Sequence, residues 1–259
     1  DSSYEAFAEY LNKEQNDFLL LVVLDKQENT CTALPLNRDT MTRVWQLDVN
    51  GEPSTSRIEQ LCLAHTYGSG GDESCENTVR AVENLLFGQT VDHYAALSMD
   101  AVPILADLVG GVPVTIDTDM TAVDPRLIEG ETVTLEGELA LSYVRARQIV
   151  SDGTNQSRMA RQEQFLRAAW EAWMEKTASG DAVELGTDAL VSLGERLRSD
   201  CTVQKLSRLL ERAEQCELTV LPAPAGEAKI SEENIAEFYV DDDALEQTVL
   251  ELFYREEIS

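Results

Sequence analysis

Phe18-Leu19-Leu20-Leu21-Val22-Val23-Leu24 is an unbroken apolar run of strand length; Asp25-Lys26-Gln27-Glu28-Asn29 follows with turn residues, and Thr30-Cys31-Thr32-Ala33-Leu34-Pro35-Leu36 resumes a second apolar run. Two such runs parted by a short polar stretch read as an antiparallel hairpin with a longer loop. A membrane-spanning helix needs ~20 apolar residues, so the first run is too short to be one. Downstream, helical periodicity opens at Ser74 or Glu76 and reaches Leu86, with Val79, Val82 and Leu86 inward. Tyr94–Ser98 reads as strand, Ala101–Val109 as a helix stopped by Gly110-Gly111, and Val112–Ile116 as strand again. Helix alternating with short strand is the pattern of an α/β layered domain.

The rest of the chain fits that class. Glu138–Val144 is a short helix running into Arg145-Ala146-Arg147. Ser157–Lys176 is a long helix whose Phe165, Leu166, Ala169, Trp170 and Trp173 form a buried stripe. Helices are predicted at Asp181–Leu197, Val203–Ala213 and Ala244–Tyr254, with a strand at Leu218–Leu221 and a turn-rich linker at Pro222–Glu227. Ser3–Lys13 patterns as an amphipathic helix, and Asn37–Arg57, polar and irregular, as a surface loop.

The 259 residues are 43% hydrophobic, enough for a large core. The chain holds 48 acids against 20 bases, a net charge of −28. A field of that sign repels nucleic acid and anionic lipid unless a local basic patch overrides it, so no nucleic-acid partner is expected. The five cysteines lack a CxxC pair and only His65 and His93 accompany them, which argues against a zinc cluster. Cys62 and Cys75 flank a glycine-rich loop and could close a disulfide in an exported protein; Cys31 reads as core. Gly68–Gly71 lacks a phosphate-loop lysine and is read as a turn, and both histidines as structural.

The scarce bases concentrate. Arg145, Arg147, Arg158 and Arg161 fall in one short stretch. Arg145 and Arg147 share a face if the backbone there is extended, and Arg158 and Arg161, three apart at a helix start, share one too. Guanidinium forks near a helix N-terminus suit phosphate or diphosphate, although surface salt bridges with the many acids are the competing reading. A second group, Asn37-Arg38-Asp39-Thr40, leaves the second strand of the hairpin, while Asp17 stands at the start of the first. A hairpin sets those two ends side by side, where two carboxylates could share Mg²⁺ with phosphate oxygens; ordinary turn chemistry is the alternative.

Asn16-Asp17-Phe18, Pro35-Leu36-Asn37-Arg38-Asp39-Thr40, Leu108-Val109-Gly110-Gly111-Val112, Tyr143-Val144-Arg145-Ala146-Arg147 and, after Asp152, Arg158-Met159-Ala160-Arg161-Gln162 occur in the order and spacing of the LytR–CpsA–Psr family, which the chain resembles from about Asp17 to Phe165. The resemblance implies an α/β fold, an α-β-α layered sandwich with a central mixed β-sheet in a single domain, with a lead-in at 1–16 that follows a trimmed membrane anchor and a catalytic domain at 17–259. It implies an extracytoplasmic phosphotransferase that moves a polyprenyl-pyrophosphate-linked anionic glycopolymer, of teichoic acid or capsule type, to peptidoglycan. On that analogy Asp17 and Asp39 hold Mg²⁺ and, with Arg38, form the catalytic group. Arg38, Arg145, Arg147, Arg158 and Arg161 clamp the pyrophosphate, Gln162 adds a neutral hydrogen bond, and Asp152 orients the arginines. The alternative is a homologue that binds polyprenyl-phosphate glycolipid, or regulates the envelope, without catalysis. The sequence departs from the family pattern at Gln15, where Arg is usual, at Asn37, where Pro is usual, and at Gln60 and Cys62, where Lys and Asn are common.

Overall fold

The computed structural model describes residues 14–146, 155–179 and 182–254, so the lead-in helix expected at Ser3–Lys13 lies outside the described residues. In chain order the strands are β1 (Leu19–Asp25), β2 (Thr30–Leu36), β3 (Met41–Leu47), β4 (Pro53–Gln60), β5 (Ala95–Leu97), β6 (Val112–Thr115), β7 (Thr132–Leu135), β8 (Leu197–Ser199), β9 (Glu217–Val220), β10 (Gly226–Ile230) and β11 (Ala236–Val240). The helices are α1 (Asp72–Leu85), α2 (Ala101–Val109), α3 (Gly137–Arg145), α4 (Asn155–Ser179), α5 (Ala182–Leu193), α6 (Val203–Glu214) and α7 (Asp242–Phe253). The fold is α/β, as the sequence predicts. The chain divides into two compact units, Asp1–Tyr94 with Leu218–Ser259, and Ala95–Glu217.

In the first unit β1 and β2 form the expected antiparallel hairpin, Leu19 facing Leu36 and Asp25 facing Thr30. Asp25 Oδ1 closes its turn by accepting from the backbone N–H of Gln27 at 2.7 Å and of Glu28 at 3.1 Å. Strand β9 lies on the far side of β2, in the order β1-β2-β9. Leu34 and Leu36 point into a core completed by Val44, Leu61, Ala81, Val82, Leu85, Leu245 and Val249. That core fastens the hairpin to α1 and α7.

Three expectations need correction here. The loop expected over Asn37–Arg57 is instead largely strand: β3 and β4 pair antiparallel from Met41 opposite Gln60 to Leu47 opposite Pro53. Thr42, Val44 and Leu47 of β3 are buried while Arg43 is exposed, a half-buried alternation. β4, reading Pro-Ser-Thr-Ser-Arg, is exposed at most positions and held by backbone pairing, so it carries no apolar signature. The linker expected at Pro222–Glu227 runs into a third antiparallel hairpin, β10–β11, whose first strand is wholly exposed. Cys62 and Cys75 form no disulfide, nor does any other cysteine among the described residues, which include all five.

In the second unit β6 and β7 pair antiparallel, with Val112 facing Leu135. Their inner residues join Ala106, Ile116, Met120, Leu127, Leu139, Ala140, Tyr143 and Val144 in a second core, against which Phe165, Ala168 and Ala169 of α4 pack. Of the stripe read from the sequence, Phe165 and Ala169 pack on this core and Trp173 is buried, its indole N–H donating to Glu214 Oε1 at 2.7 Å, while Leu166 and Trp170 are half-buried. The Gly110-Gly111 stop is required: both take positive φ, 86° and 93°, and a Cβ on Gly111 would stand 2.3 Å from Thr134 Cγ2. The helix expected at Asp181–Leu197 ends at Leu193, and Leu197 opens β8, which pairs with β5. Gly194, at φ 50°, stops it. No helix among the described residues is long and apolar enough to cross a membrane.

Candidate functional site

The turn from β2 to β3, Asn37-Arg38-Asp39-Thr40, is polar throughout and yet buried, each residue less than a tenth exposed. A buried polar turn must satisfy its own backbone. Thr40 N–H donates to Asn37 O at 3.1 Å, and Asp39 N–H to Asn37 Oδ1 at 3.0 Å. The carbonyls of Arg38, Asp39 and Thr40 accept from the N–H of Cys62, Phe238 and Leu61 at 2.8–2.9 Å. A short parallel bridge joins Thr40 to Phe238. The turn is thus gripped by the residues after β4 on one side and by β11 on the other.

Into this frame the Arg38 guanidinium projects with its fork occupied. Nη1 donates to Asp17 Oδ1 at 2.6 Å and Nη2 to Gln15 Oε1 at 2.5 Å, while Nε stands 3.7 Å from Asp39 Oδ1. Asp17 reaches the site because it precedes β1 by two residues and the Leu19–Leu36 register aligns that end with the β2 exit. Residues 14–16 are pinned alongside: Asn16 N–H donates to Cys62 O at 3.3 Å, its side-chain amide to Thr78 Oγ1 at 3.1 Å, and Thr66 Oγ1 donates to Glu14 O at 3.0 Å. Asp39 Oδ1 also accepts from Gln60 Nε2 at 3.3 Å. Burial pushes the Cys62 thiol up, with the positive charge of Arg38 pulling it down.

Two carboxylates bracketing one guanidinium make a donor set suited to a hard cation that takes one or two carboxylates and completes its shell with water and phosphate oxygens. The four positions that depart from the family pattern all touch this group. Gln15 accepts from Arg38, Asn37 caps Asp39, Gln60 donates to Asp39, and Cys62 holds the Arg38 carbonyl. In the sequence they stand only as differences, because nothing local shows that they converge on one turn.

The second unit gathers other members of the set. Arg158, Arg161 and Gln162 are buried on the first turns of α4, the shared face expected of an i, i+3 pair. Arg158 Nη2 donates to Asn155 Oδ1 at 2.9 Å, Gln162 Nε2 to Val144 O at 3.3 Å, and Arg161 Nη2 to Ala146 O. Arg161 and Gln162 therefore serve the C-terminal end of α3, where carbonyls lack helical partners. Arg145 is the last residue of α3 and exposed, so it is helical rather than extended. Arg147 and Asp152 lie outside the described residues.

A family model described as the LytR_cpsA_psr family matches residues 8–252. The protein named polyisoprenyl-teichoic acid--peptidoglycan teichoic acid transferase TagU of Bacillus mycoides is 25% identical over 205 residues, covering 79% of this chain and 61% of that protein. The chain thus spans about three fifths of that curated relative's length. Among solved structures, B. subtilis TagV superposes with a TM-score of 0.67 at 23% identity, covering 92% of this chain and 89% of that one. A structure described as TagT bound to LI-WTA gives 0.67 at 21% identity, covering 92% and 83%. These likenesses establish a shared fold.

Proposed function

The chain belongs to the LytR_cpsA_psr family, and from that membership we propose that it is an extracytoplasmic phosphotransferase moving a polyprenyl-pyrophosphate-linked anionic glycopolymer, of teichoic acid or capsule type, onto peptidoglycan. The names of its relatives support the substrate class: TagU is a teichoic acid transferase to peptidoglycan, and TagT has been seen bound to LI-WTA. The observation that carries the reading is the Asp17–Arg38–Asp39 group, a buried cation between two carboxylates in a chain of net charge −28. A membrane anchor ahead of Asp1 and a location on the outer face of the membrane belong to the same proposal.

In the reaction, an acceptor hydroxyl oxygen of peptidoglycan bonds to the glycopolymer-side phosphorus of the donor. The bond from that phosphorus to the bridging oxygen breaks, polyprenyl monophosphate leaves, and a phosphodiester remains. Arg38 faces the charge that builds on the phosphate oxygens; a preorganised donor of this kind is worth ~10²–10³ in rate. Asp17 and Asp39 would hold Mg²⁺, which supplies charge neutralisation at the diphosphate. A carboxylate of this pair can take the proton of the acceptor hydroxyl. Arg145, Arg147, Arg158 and Arg161 would bind pyrophosphate, Gln162 would add a hydrogen bond, and Asp152 would orient the guanidinium groups.

The test is transfer of labelled glycopolymer from lipid-diphosphate donor to peptidoglycan by the purified chain, with and without divalent metal. Asp39→Ala and Arg145→Ala should each lower the rate by ~10²–10³. Donor binding with no transfer by the unmodified chain would refute the enzyme and favour a glycolipid-binding protein.

A further inference from the structure

Gln60 closes β4 opposite Met41, and its side chain leaves the strand to join two elements far apart in the sequence. Nε2 donates to Ala236 O at 2.6 Å and to Asp39 Oδ1 at 3.3 Å. Both partners are acceptors, so the amide nitrogen, with its two protons, must be the atom between them. The same strand of the C-terminal hairpin reaches the turn again through Phe238 N–H, which donates to Asp39 O at 2.9 Å, and through the parallel bridge from Phe238 to Thr40. Asp39 is thus held by its backbone to Phe238 and by its carboxylate, through Gln60, to Ala236.

We propose that Gln60 is a positioning residue, whose amide fixes the direction of the Asp39 carboxylate by tying it to the Ala236 carbonyl of β11. The proposal rests on the reading of Asp39 as a cation-binding carboxylate. Asp39 is 5% exposed, so its oxygens have little water to orient them, and the groups that aim them are protein donors. Arg38 Nε stands at 3.7 Å, beyond hydrogen-bond reach, and makes no hydrogen bond among the described residues. The neutral Gln60 amide holds Oδ1 without adding a second positive charge to that of Arg38 Nε at 3.7 Å. Groups that orient a metal-binding carboxylate in this way are worth about 10–100-fold in metal affinity.

The experiment titrates Mn²⁺, as a paramagnetic stand-in for Mg²⁺, into the full 259-residue chain and follows free ion by electron paramagnetic resonance. Wild type is compared with Gln60→Met, Gln60→Asn and Asp39→Asn, with circular dichroism and thermal midpoint as checks on folding. Gln60→Asn keeps a polar amide but is too short to join both acceptors, so it tests the bridge even if Gln60→Met fails to fold. The expected result is a Mn²⁺ dissociation constant raised about 10–100-fold in either Gln60 variant and a lower kcat with the donor KM retained. Wild-type Mn²⁺ affinity in the Gln60 variants, with loss in Asp39→Asn, would overturn the positioning role alone and leave Asp39 its part. Wild-type affinity in Asp39→Asn would overturn the reading of Asp39 and the inference with it.

Discussion

Arg38 Nη1 donates to Asp17 Oδ1 at 2.6 Å across 21 positions of chain, and the two ends of the pair differ in exposure: 8% for the Arg38 side chain and 39% for that of Asp17. The buried member is the cation. Its fork is filled by one carboxylate and one neutral amide, so its orientation is set before any ligand arrives. Arg38→Ala should lower stability by about 1–3 kcal/mol, between the values for exposed and buried pairs, and reduce transfer by ~10²–10³. Arg38→Lys should not restore the rate, because an ammonium cannot reproduce the planar two-nitrogen fork that meets Asp17 and Gln15. Urea denaturation and the transfer assay together check both halves.

The Asn37 side chain caps the turn that carries Arg38. Replacing it by alanine leaves the buried Asp39 N–H without the Oδ1 acceptor at 3.0 Å. The expected loss is about 1–3 kcal/mol in chemical denaturation, with Arg38 misplaced and the rate reduced more than stability alone would require.

Gly111→Ala combines positive φ with a steric clash, the new Cβ lying 2.3 Å from Thr134 Cγ2. Gly130→Ala meets positive φ alone, with nothing within 4 Å. Gly111→Ala should therefore cost on the order of 2–4 kcal/mol and Gly130→Ala nearer 1, measured side by side in urea. Thr134→Ser should recover part of the first loss by removing Cγ2.

Tyr143 contributes to the alkaline limb of the stability curve. It is 1% exposed and donates its hydroxyl proton to Gln164 Oε1. Burial, with the negative charge of Asp117 adding to it and the positive charge of Arg161 opposing, pushes its pKa from 10.0 up to about 12. Unfolded chain releases this proton first, so the contribution is complete below pH 10.0 and is lost as pH rises through about 12. Tyr143→Phe should flatten the fall in stability across that window, read from urea midpoints taken as a function of pH.

With no disulfide among the five cysteines, dithiothreitol should leave the thermal midpoint unchanged. A clear drop on reduction would contradict this arrangement of thiols.

The parts of this site that were legible in the sequence are those fixed by local periodicity. The β1–β2 hairpin follows from two apolar runs around a polar turn, and the closeness of Asp17 to Arg38 and Asp39 follows from hairpin geometry. The common face of Arg158 and Arg161 follows from helical spacing. β3 carries a partial signal in buried Thr42 and Val44 about exposed Arg43, broken by Trp45 and the register shift at Gln46–Leu47, whereas β4 carries none, since its serines and threonine pair by backbone at mostly exposed positions. The partners that hold the site escape sequence reasoning for a different reason. Gln60, Ala236 and Phe238 meet Asp39 only through tertiary packing across 176 positions in the case of Gln60 and Ala236. No spacing rule spans that distance.

The most direct test of the central claim is to identify the leaving group. Purified chain is incubated with polyprenyl-pyrophosphate glycopolymer and peptidoglycan, and the released lipid is weighed by mass spectrometry alongside the polymer transferred. Polyprenyl monophosphate is expected in one-to-one yield with transferred polymer, both falling ~10²–10³ in Arg38→Ala. Release of polyprenyl diphosphate, or an Arg38→Ala chain as active as wild type, would refute the proposed transfer.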